Sequence, residues 1–181
     1  MLEIRYFVHG STPDNEAGVR ASWADPSLSD KGLAQARRLA DRVASIDVEA
    51  VFSSDLVRAR QTASIAFAKY PRFEDSRLRE MNYGNLNGCP GEMFVRDEAR
   101  SIDVPFEQGE CCLDVEARVR AFLLEMTSRY ERIAIVSHRF PQLALEVVCK
   151  GLSWEAALAG DWRSTGQWQP GWDYHCTDDA L

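Results

Sequence analysis

The chain has 181 residues, 45% of them hydrophobic and 27% charged, and a net charge of −7. One domain with a sizeable core is the expectation, burying roughly 70% of the unfolded surface. No basic tract offers a surface for nucleic acid, and no apolar run approaches the ~20 residues of a membrane-spanning helix.

At the N-terminus "LEIRYFV" is rich in β-branched and aromatic residues and runs into Gly10, which predicts a strand ending at His9. "STPDNEAG" is a loop by composition. In "SDKGLAQARRLADRVAS" a cap at Ser29 or Asp30 precedes Leu33, Ala36, Leu39, Ala40 and Val43 at helical spacing. "EAVFSS" predicts a short buried strand, and "DLVRARQTASIAFAKY" a helix capped by Ser54 or Asp55. Residues 78–112 are broken by Gly and Pro and predict a small lid over about 83–112, with a short helix near 93–100. "LDVEARVRAFLLEMTSRY" reads as a helix and "RIAIVS" as a strand buried on both faces. "PQLALEVVCKG" has Pro in its first turn and Gly at its end, as a helix requires. This order predicts a three-layer α/β/α domain over 1–181 with a mostly parallel central sheet. Trp154, Trp162, Trp168 and Trp172 crowd the C-terminal segment, which reads as anchorage on the core rather than as a ligand wall.

The N-terminus shows no secretory leader. Five scattered cysteines (Cys89, Cys111, Cys112, Cys149, Cys176) fit reduced thiols of the cytoplasm better than a disulfide framework or a zinc site. No metal-ligand spacing is present, and no cofactor is expected.

His9 and His138 each stand at the end of a predicted strand. Ligands of open parallel sheets bind at such carboxyl ends, so adjacent strands would bring both imidazoles into one crevice. Arg58 lies in the first turn of its helix, where guanidinium and helix dipole act together on an anion. Glu80 lies in the Gly-rich loop "LREMNYGNLNG"; beside that anion site, with its pKa raised, it would be a candidate general acid, and on its own it reads as a solvated loop residue. His175 reads as incidental.

Together these segments resemble the histidine phosphatase superfamily, the phosphoglycerate mutase-like family, over residues 2 to about 151. "VHGSTPDN" matches its Arg-His-Gly-x-Thr-x-x-Asn motif through His9, Gly10, Thr12 and Asn15. "DPSLSDKGLAQA", "SSDLVRARQTA", "GECCLDVEARV" and "IVSH" match the later motifs. The resemblance implies a phosphohistidine on His9, phosphate held by Arg58, His138 and Asn15, a proton from Glu80, and hydrolysis by water without a metal. It implies a small phosphorylated substrate; the sequence leaves room for a homodimer.

Three positions depart from the pattern. Val8 replaces the arginine before the nucleophile, and Arg139 replaces the glycine after the second histidine. Arg139 either reaches the phosphate in place of the lost guanidinium or turns to solvent or a lid carboxylate. Arg5 is a poor substitute, since four residues along a strand span ~13 Å. Ser11 stands where the family often has glutamate, which favours a phosphatase over a mutase. The acidic balance also favours a compact substrate over a polyanion. The competing readings are a non-catalytic member that binds a phosphorylated ligand or protein, and a specialised biosynthetic enzyme.

Overall fold

Alternation along β1 (Leu2–Val8) decides which residue meets which layer. Leu2, Ile4 and Tyr6 enter one core cluster, and Phe7 enters another on the opposite face. The same split recurs along β6 (Arg132–Ser137), where Ile133 and Ile135 join the first cluster and Ala134 and Val136 the second. Both sheet faces are therefore covered, which explains the apolar run from Ile133 to Val136 in β6.

The computed structural model describes residues 1–94, 98–161, 163, 171–177 and 181. After β1 come α1 (Pro13–Glu16), β2 (Val19–Arg20), α2 (Asp30–Arg42), β3 (Ala50–Ser53), α3 (Val57–Ala66) and β4 (Arg72–Glu74). They are followed by β5 (Cys89–Pro90), α4 (Cys112–Thr127), β6, α5 (Arg139–Lys150), α6 (Trp154–Ala159) and β7 (Trp172–Cys176). The main sheet runs β4-β3-β6-β1-β7. Its first four strands are parallel, and β7 adds an antiparallel edge along β1. Phe67, after α3, packs in the second cluster; α4 and α5 supply Phe122, Leu123 and Leu143 to the first. This is the expected three-layer arrangement with a mostly parallel sheet.

The register places the site. In the parallel pair β1/β6, Val8 faces Ser137, and the His9 amide donates to the Ser137 carbonyl at 3.1 Å. The next residue on each strand is a histidine, so both strand ends present an imidazole at the same edge.

Local chemistry explains the helix starts. Ser29 caps α2, accepting from the Gly32 amide at 3.2 Å. The cap of α3 differs from expectation. Neither Ser54 nor Asp55 caps it; Asp25 Oδ1, from the distant loop, accepts from the Val57 amide at 2.7 Å. Asp55 instead forms a two-nitrogen ion pair with Arg79. Among the four tryptophans, Trp154 and Trp172 are packed in the core as expected. Trp162 and Trp168 lie outside the described residues, as does part of the short helix expected near 93–100.

Candidate active site

His9 follows β1 and lies half-buried in the wall of a cleft of about 1070 Å³. Two glycines bring the chain this close to α2. A Cβ on Gly32 would lie 2.0 Å from the Ser11 carbonyl oxygen, and one on Gly10 would lie 2.6 Å from the Gly32 oxygen. No side chain fits at either position, which is the physical content of the glycines in both motifs. The loop is then pinned by the Gly10 amide on Thr62 Oγ1 at 3.0 Å and the Ser11 amide on Gln35 Oε1 at 2.7 Å.

The ring of His9 has a defined tautomer. Its Nδ1 lies 2.7 Å from the Gly10 carbonyl oxygen, which only accepts, so the proton sits on Nδ1. Nε2 carries the lone pair and accepts from Arg58 Nε at 3.2 Å. Arg58 is 2% exposed and is held by the carbonyls of Ser22 at 2.7 Å and Ala24 at 3.2 Å. Ser22 has a φ of 48°, a left-handed conformation that is costly for serine and turns its carbonyl toward the guanidinium.

His138 stands at the N-cap position of α5, its ring centroid 5.0 Å from that of His9. It is fully buried, and neither ring nitrogen has a hydrogen-bond partner among the described residues. Such groups are rare in native structures and call for a partner the fold itself does not supply. The Tyr6 hydroxyl clamps its backbone, accepting from the His138 amide at 3.1 Å and donating to the His138 carbonyl at 2.7 Å.

Burial and the Arg58 charge push His9 down to about 3. Burial and then Arg58 also hold His138 well below the ordinary imidazole value. Both rings are thus neutral in the folded protein at any pH where unfolded histidine begins to protonate. The contribution is complete above the unfolded value of about 6.5 and is lost as pH falls, at up to about 1.4 kcal/mol per pH unit for each ring. Urea melts in phosphate-free buffer are expected to show up to about 3 kcal/mol less stability at pH 5 than at pH 6.5, and His138→Gln should flatten that slope. Equal midpoints at both pH values would mean that the rings titrate normally.

Glu80 projects onto the start of α5. Its Oε1 accepts from the amides of Met81 and Phe140, both at 3.0 Å, and Oε2 accepts from the Arg139 amide at 3.1 Å. The helix N-terminus therefore fixes the carboxyl group beside His138. Arg118, from the motif in α4, braces that loop through the Glu80 carbonyl at 3.1 Å and Glu110 Oε1 at 3.0 Å.

Asn15 lines the same cleft, and its Oδ1 accepts from the Thr12 amide at 3.1 Å within the capping box of α1. Arg139 is also on the cleft wall, with Nε on Asp161 Oδ2 at 2.5 Å. Its partner is therefore a buried carboxylate of the segment after α6. Arg5 pairs with Asp173 at the exposed β7 edge, and His175 is exposed on the same strand. Sequence reasoning missed Tyr6, Ser22, Asp161 and Arg163. No periodicity or motif marks them, because Tyr6, Ser22 and Asp161 act through contacts distant in sequence and Arg163 depends on that same Asp161. It also missed the local charge: Arg20, Arg38, Arg42, Arg58, Arg139 and Arg163 line the cleft against Glu80 and Asp161. The net charge of −7 conceals this basic wall.

The family model of the histidine phosphatase superfamily (branch 1) matches residues 6–165. The chain belongs to the histidine phosphatase superfamily. Within that superfamily it is 31% identical over 166 residues to a Methylobacterium 2,3-bisphosphoglycerate-dependent phosphoglycerate mutase, covering 81% of this chain and 80% of the relative. It is 29% identical over 164 residues to phosphoserine phosphatase 1 of Hydrogenobacter thermophilus, covering 84% and 78%. A mycobacterial glucosyl-3-phosphoglycerate phosphatase solved with VO3 superposes with a TM-score of 0.78 at 25% identity, over 88% of this chain and 87% of that one. Among the described residues, no helix is long and apolar enough to cross a membrane, and no group of three or more His, Cys, Asp or Glu is placed to hold a metal ion.

Proposed function

We infer that the protein hydrolyses a small phosphomonoester through a phosphohistidine on His9. The observation that carries this reading is the His9 tautomer: Nδ1 is tied to the Gly10 carbonyl, and the Nε2 lone pair faces the cleft beside Arg58 and a buried His138. The Arg58 Nε–H occupies that lone pair. A phosphoryl oxygen draws the guanidinium onto itself and releases Nε2 to attack. The Nε2–P bond forms as the P–O ester bond breaks, and the leaving oxygen takes the proton of the Glu80 carboxyl. Glu80 then accepts a proton from water, whose oxygen displaces Nε2 and yields inorganic phosphate. The loose transition state spreads negative charge over the equatorial oxygens, where Arg58 and an N–H of His138 would act. Asn15, with its oxygen committed to Thr12, would offer its amide nitrogen there too.

The test is a rapid acid-sensitive label: a phosphomonoester carrying ³²P should leave a base-stable, acid-labile phosphoenzyme during turnover. Its absence under turnover conditions would sink the phosphohistidine reading. Return of the label to an alcohol acceptor in preference to water would instead favour a mutase, as the Methylobacterium relative is named.

The cleft also suggests the substrate. Six arginines against two carboxylates suit an ester with a second anionic group, and the names of the three relatives above all denote phosphorylated carboxylic acids. A phosphorylated ω-hydroxy acid is expected to show kcat/KM about tenfold or more above the phosphorylated diol of equal length. The ratio should fall with added salt. Equal values for the two esters would remove this preference.

A further inference from the structure

Val8 lies in the cleft wall beside His9, and its side chain has no hydrogen-bond donor to offer. Across the same cleft Asp161, 1% exposed, grips two guanidinium groups. Oδ2 accepts from Arg139 Nε at 2.5 Å. Oδ1 accepts from Arg163 Nη1 at 2.9 Å and from the Arg163 amide at 3.1 Å. A carboxylate this buried is costly unless its charge is met, and here it is met twice. Both arginines border the cleft, at 20% and 24% side-chain exposure.

We propose that Arg163, oriented by Asp161, supplies the second phosphate-binding guanidinium that position 8 lacks. This rests on the reading of the site as one for a phosphoryl group. Two arginines compete for the role, and their surroundings separate them. Arg163 borders the cleft with His9, and its charge reaches the His9 ring, more weakly than that of Arg58. Arg139 sits over the Phe140 ring, 5.0 Å from its centroid, on the α5 side. Arg163 is thus the cation assigned to the phosphoryl group, Arg139 shares its anchor, and Asp161 is a positioning residue. A bidentate guanidinium suits the equatorial oxygens of a transferring phosphoryl group, and its fixed geometry needs such an anchor.

The experiment compares wild type, Arg163→Met, Arg163→Met with Val8→Arg, and Arg163→Lys. Each is measured for kcat/KM on a phosphomonoester and, by calorimetry, for affinity for orthovanadate. Arg163→Met should lower kcat/KM about 10²-fold, chiefly through kcat, with weaker vanadate binding. Arg163→Lys, which keeps the charge without the fork, should fall between. Val8→Arg added to Arg163→Met should recover about tenfold or more of both quantities, which a merely structural role for Arg163 would not allow. Values for Arg163→Met within about threefold of wild type, or no recovery from position 8, overturn the assignment. If Arg163→Met fails to fold, the Lys variant decides: vanadate affinity and kcat/KM equal to wild type overturn it. A wild type that turns over no ester but binds vanadate through Arg163 keeps the assignment and defeats the hydrolysis reading. Turnover indifferent to Arg163 does the reverse.

Discussion

His9→Ala is expected to abolish turnover, with a loss of about 10⁴-fold or more in kcat, and to remove the phosphoenzyme label. The ring offers the cleft a nitrogen lone pair whose orientation is fixed from the other side by the Gly10 carbonyl. Alanine leaves Arg58, His138 and Glu80 in place but nothing to accept the phosphoryl group. What persists should be transition-state binding without covalent chemistry. The protein should stay folded, since the substitution removes two hydrogen bonds, to the Gly10 carbonyl and from Arg58 Nε, each worth about 1–3 kcal/mol, and Arg58 keeps the carbonyls of Ser22 and Ala24. Phosphate release followed over a panel of phosphomonoesters checks this. Equal, negligible rates in wild type and variant would leave a protein that binds phosphate without hydrolysing it.

Glu80→Gln should be nearly as severe, but selectively. The carboxyl group accepts three amides, those of Met81, Arg139 and Phe140. A carboxamide offers one accepting oxygen and turns an NH₂ against at least one of these donors. An unsatisfied buried amide costs about 1–3 kcal/mol in stability. In catalysis the leaving oxygen loses its proton source, worth about 10²–10⁴-fold for an alkyl phosphate. A nitrophenyl ester, whose phenolate departs unprotonated, should fall far less. A loss of the same size for both esters would remove Glu80 from the proton-transfer step and leave it a structural brace of α5.

The sequence carried the elements that converge on the nucleophile because their chemistry is local. β1 and β6 are visible as apolar runs, each followed at once by a histidine, and parallel pairing with Val8 opposite Ser137 does the rest. Gly10 and Gly32 are intelligible one by one as turn or helix residues, but their reason is mutual contact. Three features escaped because their causes lie far along the chain. The α3 cap comes from Asp25, which the local Ser54–Asp55 signal masks. The strand "WDYHC" is too short and polar to read as one until it pairs with β1. Asp161 and Arg163, two residues apart, look like solvated surface charges in sequence. Burial at 1% exposure makes Asp161 an anchor.

The Tyr6 hydroxyl belongs to the strand that ends in one imidazole and holds the backbone of the other. The interval between the two rings is thereby tied to the pitch of neighbouring strands, among the least deformable dimensions of a protein. A lineage changing its substrate has no purchase on that interval. It can move only the surrounding arginine wall, the part of this chain where Val8 and Arg139 lie.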